Sequence, residues 1–401
     1  MRIGIDARMY GPKQGGLGRY IEQLISHLEQ IDDRNEYVIF LRRENRDAYS
    51  PTKPNFKKLI ADVPWYGWRE QLELPKIIRQ TKVDLTHFPH WNVPLFYNDP
   101  FVVTIHDLLL LHYPTRESSA LGPLSYWFKN LAFRKVLRHA VRKAEHIIAP
   151  SEFTKQDIHN ALGVPLNQIT TTYLAPWEPV SFRGTTQKSD ESIGGGTEEF
   201  PRINADTTSQ GNPSSYLLEM TQVNRPYALY VGVAYPHKNL NRLLDAWQLF
   251  QQKYGTNYHL VLVGKRNYFY NKLLSNETMK QCNNVTYTDY LPDSELTKIY
   301  SKASLYVFPS LYEGFGLPPL EAMQYNIPVI SSNRACLPKI LRDAALYFNP
   351  EKNEEIVEAL YRGFTDNSLR EKLICNAKKL LPSYSWEKTA QRTLDVYENS
   401  V

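Results

Sequence analysis

Cysteine is scarce in this sequence: three in 401 residues, Cys282, Cys336 and Cys375, with no CxxC spacing and an odd count. That excludes a disulfide framework and a paired-cysteine zinc site, and it points to a reducing compartment with buried thiols. Long apolar runs are missing too; none approaches the roughly 20 residues a membrane span requires. The opening "MRIGIDARMYG" has too short an apolar core for a signal peptide and reads as a first strand, so a cytoplasmic protein is expected. A large charge excess is also absent. The formal charge of +5 fits a mild preference for anionic substrates or a membrane surface, and no nucleic-acid partner is expected.

The familiar catalytic signatures are missing as well. There is no Asp-x-Asp pair, no His/Cys cluster at metal spacing, no Walker Gly-Lys-Ser/Thr string and no G-x-S-x-G elbow. A diphosphate held by lysine and backbone N–H groups is therefore expected over one bridged by a metal, and no cofactor is expected.

What is present is a soluble, globular balance, 42% hydrophobic and 22% charged, on a chain long enough for two domains. Apolar runs at "RIGIDA", "EYVIFLR", "VDLTHF", "FVVTIH" and "AEHIIAPS" alternate with helical patterns such as Leu24, Ile25, Leu28 and Ile31. Strands that are continuous apolar runs indicate a parallel sheet covered on both faces. From about 178 to 225 the chain is polar, Gly/Ser/Thr-rich and without period, a flexible insertion. The alternation restarts at "YALYVGVAYP" and runs through "YHLVLVGK", "VTYTDYL", "SLYVFPS" and "AALYFNP". The expected fold class is α/β: a first Rossmann-like domain over 1–177, the insertion over 178–225, and a second such domain over 226–401. The two would face each other across a deep cleft. The terminal helix "SWEKTAQRTLDVYENS" can pack on either half.

In open parallel sheets ligands bind beyond the carboxyl ends of the strands, so the loops there are the candidates. "LYEGFGLPPLEAM" carries Glu313 and Glu321 on either side of a turn, with proline suited to the first helical positions. N–H groups at Gly314, Phe315, Gly316 and Leu317 can present donors to an anion. The carboxylates can take sugar hydroxyls, one of them a ribose pair. Equally, Glu321 merely complements the helix dipole and Glu313 is a solvated turn residue. Lys238 in "VGVAYPHKNL" either reaches a phosphate or is solvated, with Asn239 as a helix N-cap. "GPKQGGLGRY" is either a close-approach loop or a tight turn before a helix. His106 in "TIHD" either meets a sugar hydroxyl or is structural, and Asp107 is a cap or its partner.

Taken together, "EGFGLPPLEA" resembles the Glu-x7-Glu motif of retaining glycosyltransferases of family 4, which have the GT-B fold. "GGLGRY", "TIHD", "APSEFTKQDI", "VGVAYPHKNL", "LVLVGK" and "YTDYLPDSEL" follow in that family's order. The resemblance implies that Glu313 contacts the donor sugar, Glu321 the ribose, and Lys238 the diphosphate, helped by N–H groups at Gly16 and Phe315 to Leu317. It implies His106 near the reacting carbon, and Tyr290 and Leu291 beside the base. Transfer with retention and no metal is the implied mechanism. Val233 stands where many members carry a phosphate-binding arginine, so Lys265 or Arg266 is the expected substitute. "HKNL" is similar to mannosyltransferases of surface-polysaccharide assembly, which makes GDP-mannose the first expectation. The expected partners are a nucleotide-sugar donor and a glycan or lipid-linked glycan acceptor. The basic, aromatic stretch "YWFKNLAFRKVLRHAVRKAEH" is either a solvated face or a peripheral membrane contact. Two other readings remain: a sugar-nucleotide epimerase of the same fold, and a non-catalytic nucleotide-sugar binder.

Overall fold

The computed structural model describes residues 1–114, 123–177, 225–282 and 284–401, with backbone alone for 123–126. The expected insertion, apart from Arg225, lies outside the described residues. The chain divides into two compact units. The first comprises Met1–Ala175, Tyr312–Gly316 and Pro382–Val401; the second comprises Pro176–Leu311 and Leu317–Leu381.

The first unit is built on a seven-stranded sheet: β1 Arg2–Asp6, β2 Glu36–Leu41, β3 Phe56–Ile60, β4 Leu85–Phe88, β5 Phe101–Thr104, β6 His146–Ala149 and β7 Ile169–Thr171. The order is β3-β2-β1-β4-β5-β6-β7, and every pair is parallel. Ile3 sits between Tyr37 and Leu85, so β1 and β4 flank the point where the winding reverses. The glycine-rich segment after β1 holds a 3-10 turn, Pro12–Gln14, between Gly11 at φ 97° and Gly15 at φ 65°. The helix Gly15–Ile31 begins inside that segment, so Gly16 lies in the first turn. That helix buries Tyr20, Ile21, Leu24, Ile25 and Leu28. The terminal helix Trp386–Glu398 packs against it within this unit.

The second unit has six strands: β8 Tyr227–Val231, β9 His259–Val263, β10 Val285–Thr288, β11 Leu305–Phe308, β12 Val329–Ser332 and β13 Ala345–Phe348. Their order is β10-β9-β8-β11-β12-β13, again all parallel. Here the winding reverses between β8 and β11. The helix Leu240–Tyr254 covers the sheet with Leu243, Leu244, Trp247 and Phe250, all fully buried. Each such side chain stabilises the unit by roughly 1.5–3 kcal/mol relative to exposure.

The thiols differ from the expectation of general burial. Cys336 is buried, Cys282 is half-buried and Cys375 is exposed. Cysteine is small and apolar enough for a core, but the helix Asn367–Leu380 turns its 375 position outward.

Candidate functional site

In the second unit the sequence-derived candidates occupy loops after four neighbouring strands, β10, β9, β8 and β11, at their carboxyl ends. After β8 comes the 3-10 turn Pro236–Lys238. The Lys238 ammonium lies 5.6 Å from the Phe308 ring centroid, over the last residue of β11. A cation–π contact of this kind steadies the charge without neutralising it. His237 is buried, and burial followed by the Lys238 charge lowers its pKa to about 3. It is therefore neutral and adds no second cation.

Asn239 occupies the N-cap position of the helix Leu240–Tyr254, as the N-cap reading has it, but at φ 62° and without a side-chain capping bond. Its amide instead donates to the carbonyls of Pro309 at 3.3 Å and Pro350 at 2.7 Å. The left-handed backbone turns the side chain away from the helix, and asparagine tolerates that conformation. The N–H of Leu311 donates to the His237 carbonyl at 2.7 Å. These bonds staple the lysine turn to the loop after β11.

Lys265 and Arg266 follow β9 and are exposed. Arg266 is committed: its N–H donates to Asp289 at 2.7 Å and its Nε to Asn271 at 2.8 Å. Lys265 has no partner among the described residues. After β10, Tyr290 is 55% exposed, whereas Leu291 is buried, so only the tyrosine offers an open face for a base.

Glu321 stands in the helix Leu317–Gln324, whose first turn holds no acidic residue. It lies past that turn, where the dipole effect has faded, which weakens the dipole reading. Its Oε2 accepts from the Tyr300 hydroxyl at 3.5 Å. Tyr300 is buried and stacks on Tyr325 at 5.0 Å. Burial holds its phenol well above its ordinary pKa, so it stays a donor. Pro318 and Pro319 have no N–H, so the donors at this helix entry are those of Gly314 to Leu317.

In the first unit His106 follows β5. Its Nε2 lies 3.0 Å from the Pro89 carbonyl, which can only accept, so Nε2 carries the proton. Burial lowers the His106 pKa to about 4, leaving a neutral ring with an acceptor at Nδ1. Tyr20 packs edge-on against it at 4.7 Å. Asp107 accepts from the Leu109 N–H at 2.9 Å and is a local cap.

The segment Tyr312–Gly316 belongs to this unit and is held residue by residue. Ser151 and Thr154 donate to the Gly314 carbonyl at 2.6 and 3.1 Å. A Cβ at Gly314 would meet the His106 carbonyl at 2.0 Å, so only glycine fits. Gly316 needs its glycine for a different reason, φ +88°. Tyr312 donates to Asp157 at 2.5 Å and accepts from the Leu108 N–H at 3.2 Å. Glu313, between these fixed points, is half-buried and not a freely solvated turn residue. Gly16 is exposed in the first turn of its helix, where N–H groups have no intrahelical acceptor.

Sequence reasoning missed Ser151, Thr154, Tyr312, Asp157 and Tyr300. The first two lie in "APSEFT", where the serine also caps the helix Glu152–Leu162 by accepting from the Thr154 N–H. Among the described residues no group of three or more His, Cys, Asp or Glu side chains is placed to hold a metal ion. None of the described helices is long and apolar enough to cross a membrane.

Residues 14–174 match the family model described as Glycosyltransferase Family 4, and residues 220–380 match Glycosyl transferases group 1. An O-antigen chain mannosyltransferase B of Escherichia coli is 28% identical over 80% of this chain and 76% of its own. The O-antigen chain mannosyltransferase RfbU of Salmonella typhimurium is 24% identical over 89% of each. Among solved structures, HepE of Anabaena in complex with UDP and glucose superposes with a TM-score of 0.67 at 17% identity over 99% of both chains. These findings lend no support to the epimerase reading. With two parallel sheets and both family regions in sequence, the chain belongs to the GT-B glycosyltransferases, with a family 4 first half and a group 1 second half.

Proposed function

We propose that this glycosyltransferase moves mannose from GDP-mannose to a hydroxyl of a glycan or lipid-linked glycan, with retention and without a metal. The observation that carries the donor reading is the stapled pair of loops after β8 and β11, which joins Lys238 to the entry of the Glu321 helix. Lys238 takes the diphosphate with the N–H groups of Gly314 to Leu317, and Glu321, held by Tyr300, takes the ribose. Tyr290 borders the base. Lys265, exposed and uncommitted, supplies the charge that Val233 does not. His106 accepts from a donor-sugar hydroxyl through Nδ1, and Glu313 takes another. Mannose is supported by the names of the two relatives above.

In the step itself the bond from the anomeric carbon to the β-phosphate oxygen breaks. The acceptor oxygen bonds to that carbon on the same face, and its proton passes to the departing phosphate oxygen. The charge that develops on the diphosphate is met by the Lys238 ammonium and backbone dipoles, so catalysis is positional and electrostatic.

A peripheral membrane contact is part of this reading. The helix Pro123–Lys143 contains no Asp or Glu. Trp127, Leu131, Arg134, Arg138 and Arg142 fall within about 80° of one another on it at 3.6 residues per turn. Trp127 and Leu131 are exposed, and the three arginines line a cavity of about 420 Å³ with Leu111 and Leu162. Apolar wedges beside arginines suit an anionic bilayer surface.

The test is release of nucleoside diphosphate from GDP-, UDP-, ADP- and dTDP-sugars in EDTA, with Glu313→Ala beside the wild type. Release from GDP-mannose alone, lost in the variant and with an α-linked product by NMR, is the expected result. Release that needs added metal, or that prefers another donor, overturns the corresponding part.

A further inference from the structure

The aromatic loop "PWYGW", residues 64 to 68, is not used by the donor reading, yet a buried hydrogen-bond network fixes its backbone. Tyr66 is at φ 59°, a conformation bulky residues rarely adopt. Its N–H donates at 2.8 Å to the fully buried Glu70. Glu70 in turn accepts from Arg8 at 2.7 Å and from Asn92 at 2.8 Å. Arg8, 1% exposed, also pairs with Asp6 at 2.8 Å and donates to the Val63 carbonyl at 3.1 Å. A buried charge network of this kind keeps its place only when each member is satisfied. Here its product is a strained loop that leaves Tyr66 59% and Trp68 79% exposed. Strain that the surroundings enforce is characteristic of ligand sites.

Beneath this loop lies a small cavity of about 10 Å³, lined by Asp6, Arg8, Trp65, Pro89, His90 and Asn92. It sits beyond the carboxyl ends of β1 and β4, where the winding of the first sheet reverses, and open α/β sheets bind ligands at such a point. Two nitrogens of its lining, Trp65 Nε1 and His90 Nδ1, are buried and have no hydrogen-bond partner among the described residues. Buried polar atoms are normally paired, so each calls for a partner. An indole N–H donates only, while a neutral imidazole nitrogen does either. The volume is that of a single oxygen atom. A hydroxyl fits all three facts: it accepts from Trp65, bonds to His90, and is the right size. Trp91 links His90 of the lining to the exposed Tyr66, 4.7 Å from the His90 ring and 5.8 Å from that of Tyr66.

We propose that Trp65, Tyr66, Trp68 and His90 form a saccharide subsite, in which one pyranose hydroxyl enters the cavity and the apolar C–H face of the ring lies on the exposed aromatic rings. Calling that saccharide the acceptor rests on the transferase reading above.

The test is saturation-transfer NMR on the full chain with the methyl glycosides of mannose, glucose, galactose and N-acetylglucosamine, alone and with saturating GDP. GDP binding is measured separately by calorimetry. Three variants accompany the wild type. Trp65→Phe removes the indole N–H but keeps a ring, Trp68→Ala removes an exposed face, and Tyr66→Asn removes the ring in a residue that tolerates positive φ. The expected result is transfer to at least one glycoside that persists with GDP, falls at least about tenfold in each variant, and leaves GDP affinity unchanged. Transfer to no glycoside, transfer abolished by GDP, or transfer undiminished in the variants overturns the subsite. Failure of GDP to bind the wild type would instead overturn the donor reading and leave the glycoside result to stand alone.

Discussion

The backbone N–H of Leu311 donates to the carbonyl of His237 at 2.7 Å, so the loop after β11 starts from the lysine turn after β8. Asn239 reinforces the junction through Pro309 and Pro350. Replacing Asn239 with Gly keeps the left-handed backbone accessible and removes both amide bonds. The expected loss is about 1–3 kcal/mol of stability with a raised donor KM. Asn239→Leu adds backbone strain and should cost more. Urea midpoints and donor titrations on the two variants check the order; equal midpoints for wild type and Asn239→Gly would show that the staple has no weight.

Gly314 has ordinary φ, so its intolerance of a side chain is purely steric. Gly314→Ala drives a methyl into the His106 carbonyl and displaces both Glu313 and His106. A displacement of an ångström here should lower kcat/KM by on the order of a hundredfold. Ser151→Ala removes one bond to the same carbonyl without the clash and should be much milder. Comparable losses in the two variants would contradict the steric account.

Tyr300→Phe deletes the hydroxyl that meets Glu321 and preserves the stack on Tyr325. Donor KM should rise roughly threefold to tenfold with kcat little changed, as expected for a modest hydrogen bond. A drop in kcat at constant KM would mean that Glu321 serves the reacting end of the donor and not its ribose.

Several buried or half-buried histidines are held neutral: desolvation lowers His87 and His237 to about 3, and His106 and His259 to about 4. In the unfolded chain each takes a proton near pH 6.5. Below that pH the unfolded state binds more protons than the native one, so stability falls as pH drops from about 6.5 toward 3–4. Urea midpoints at pH 8, 6.5 and 5 test this above the range of ordinary carboxylates. The midpoint should be level from 8 to 7 and decline from 6.5 to 5; a level or rising midpoint in that interval would rule it out. His106 should also contribute no limb near pH 6.5 to the rate profile.

The membrane contact proposed for the helix Pro123–Lys143 gives a prediction in salt. Binding to vesicles of anionic lipid, and not of zwitterionic lipid, should weaken as ionic strength rises and should be lost in Arg134→Ala/Arg138→Ala/Arg142→Ala. Binding by zwitterionic vesicles alone would remove the electrostatic part of the proposal.

Most of the sheet architecture was legible because buried parallel strands are apolar throughout. "YHLVLVGK" and "SLYVFPS" announce β9 and β11 directly. β3 was not legible: "FKKLI" is neither a continuous apolar run nor an alternation, because the adjacent Lys57 and Lys58 are both exposed at the sheet edge. β7 is only three residues long, too short for a periodic signal. Glu313, Glu321, Lys238 and His106 stand out as candidates in the sequence because they follow strands. Their holders escaped because a hydroxyl such as Ser151, or a buried phenol such as Tyr300, has no signature until the fold brings it to its partner. Asn239 stands at the N-cap position its residue type suggests, but its left-handed backbone sends the amide to Pro309 and Pro350, which no local signal announces.

The uneven exposure of the three thiols makes the protein chemically addressable. Burial raises the Cys282 thiol to about 11, so little of it is thiolate at neutral pH, and Cys336 is shut away in the core. Cys375 alone is open to solvent. A maleimide probe at pH 7 should therefore mark the helix Asn367–Leu380 first, giving a fluorophore position on the second unit without any engineered cysteine.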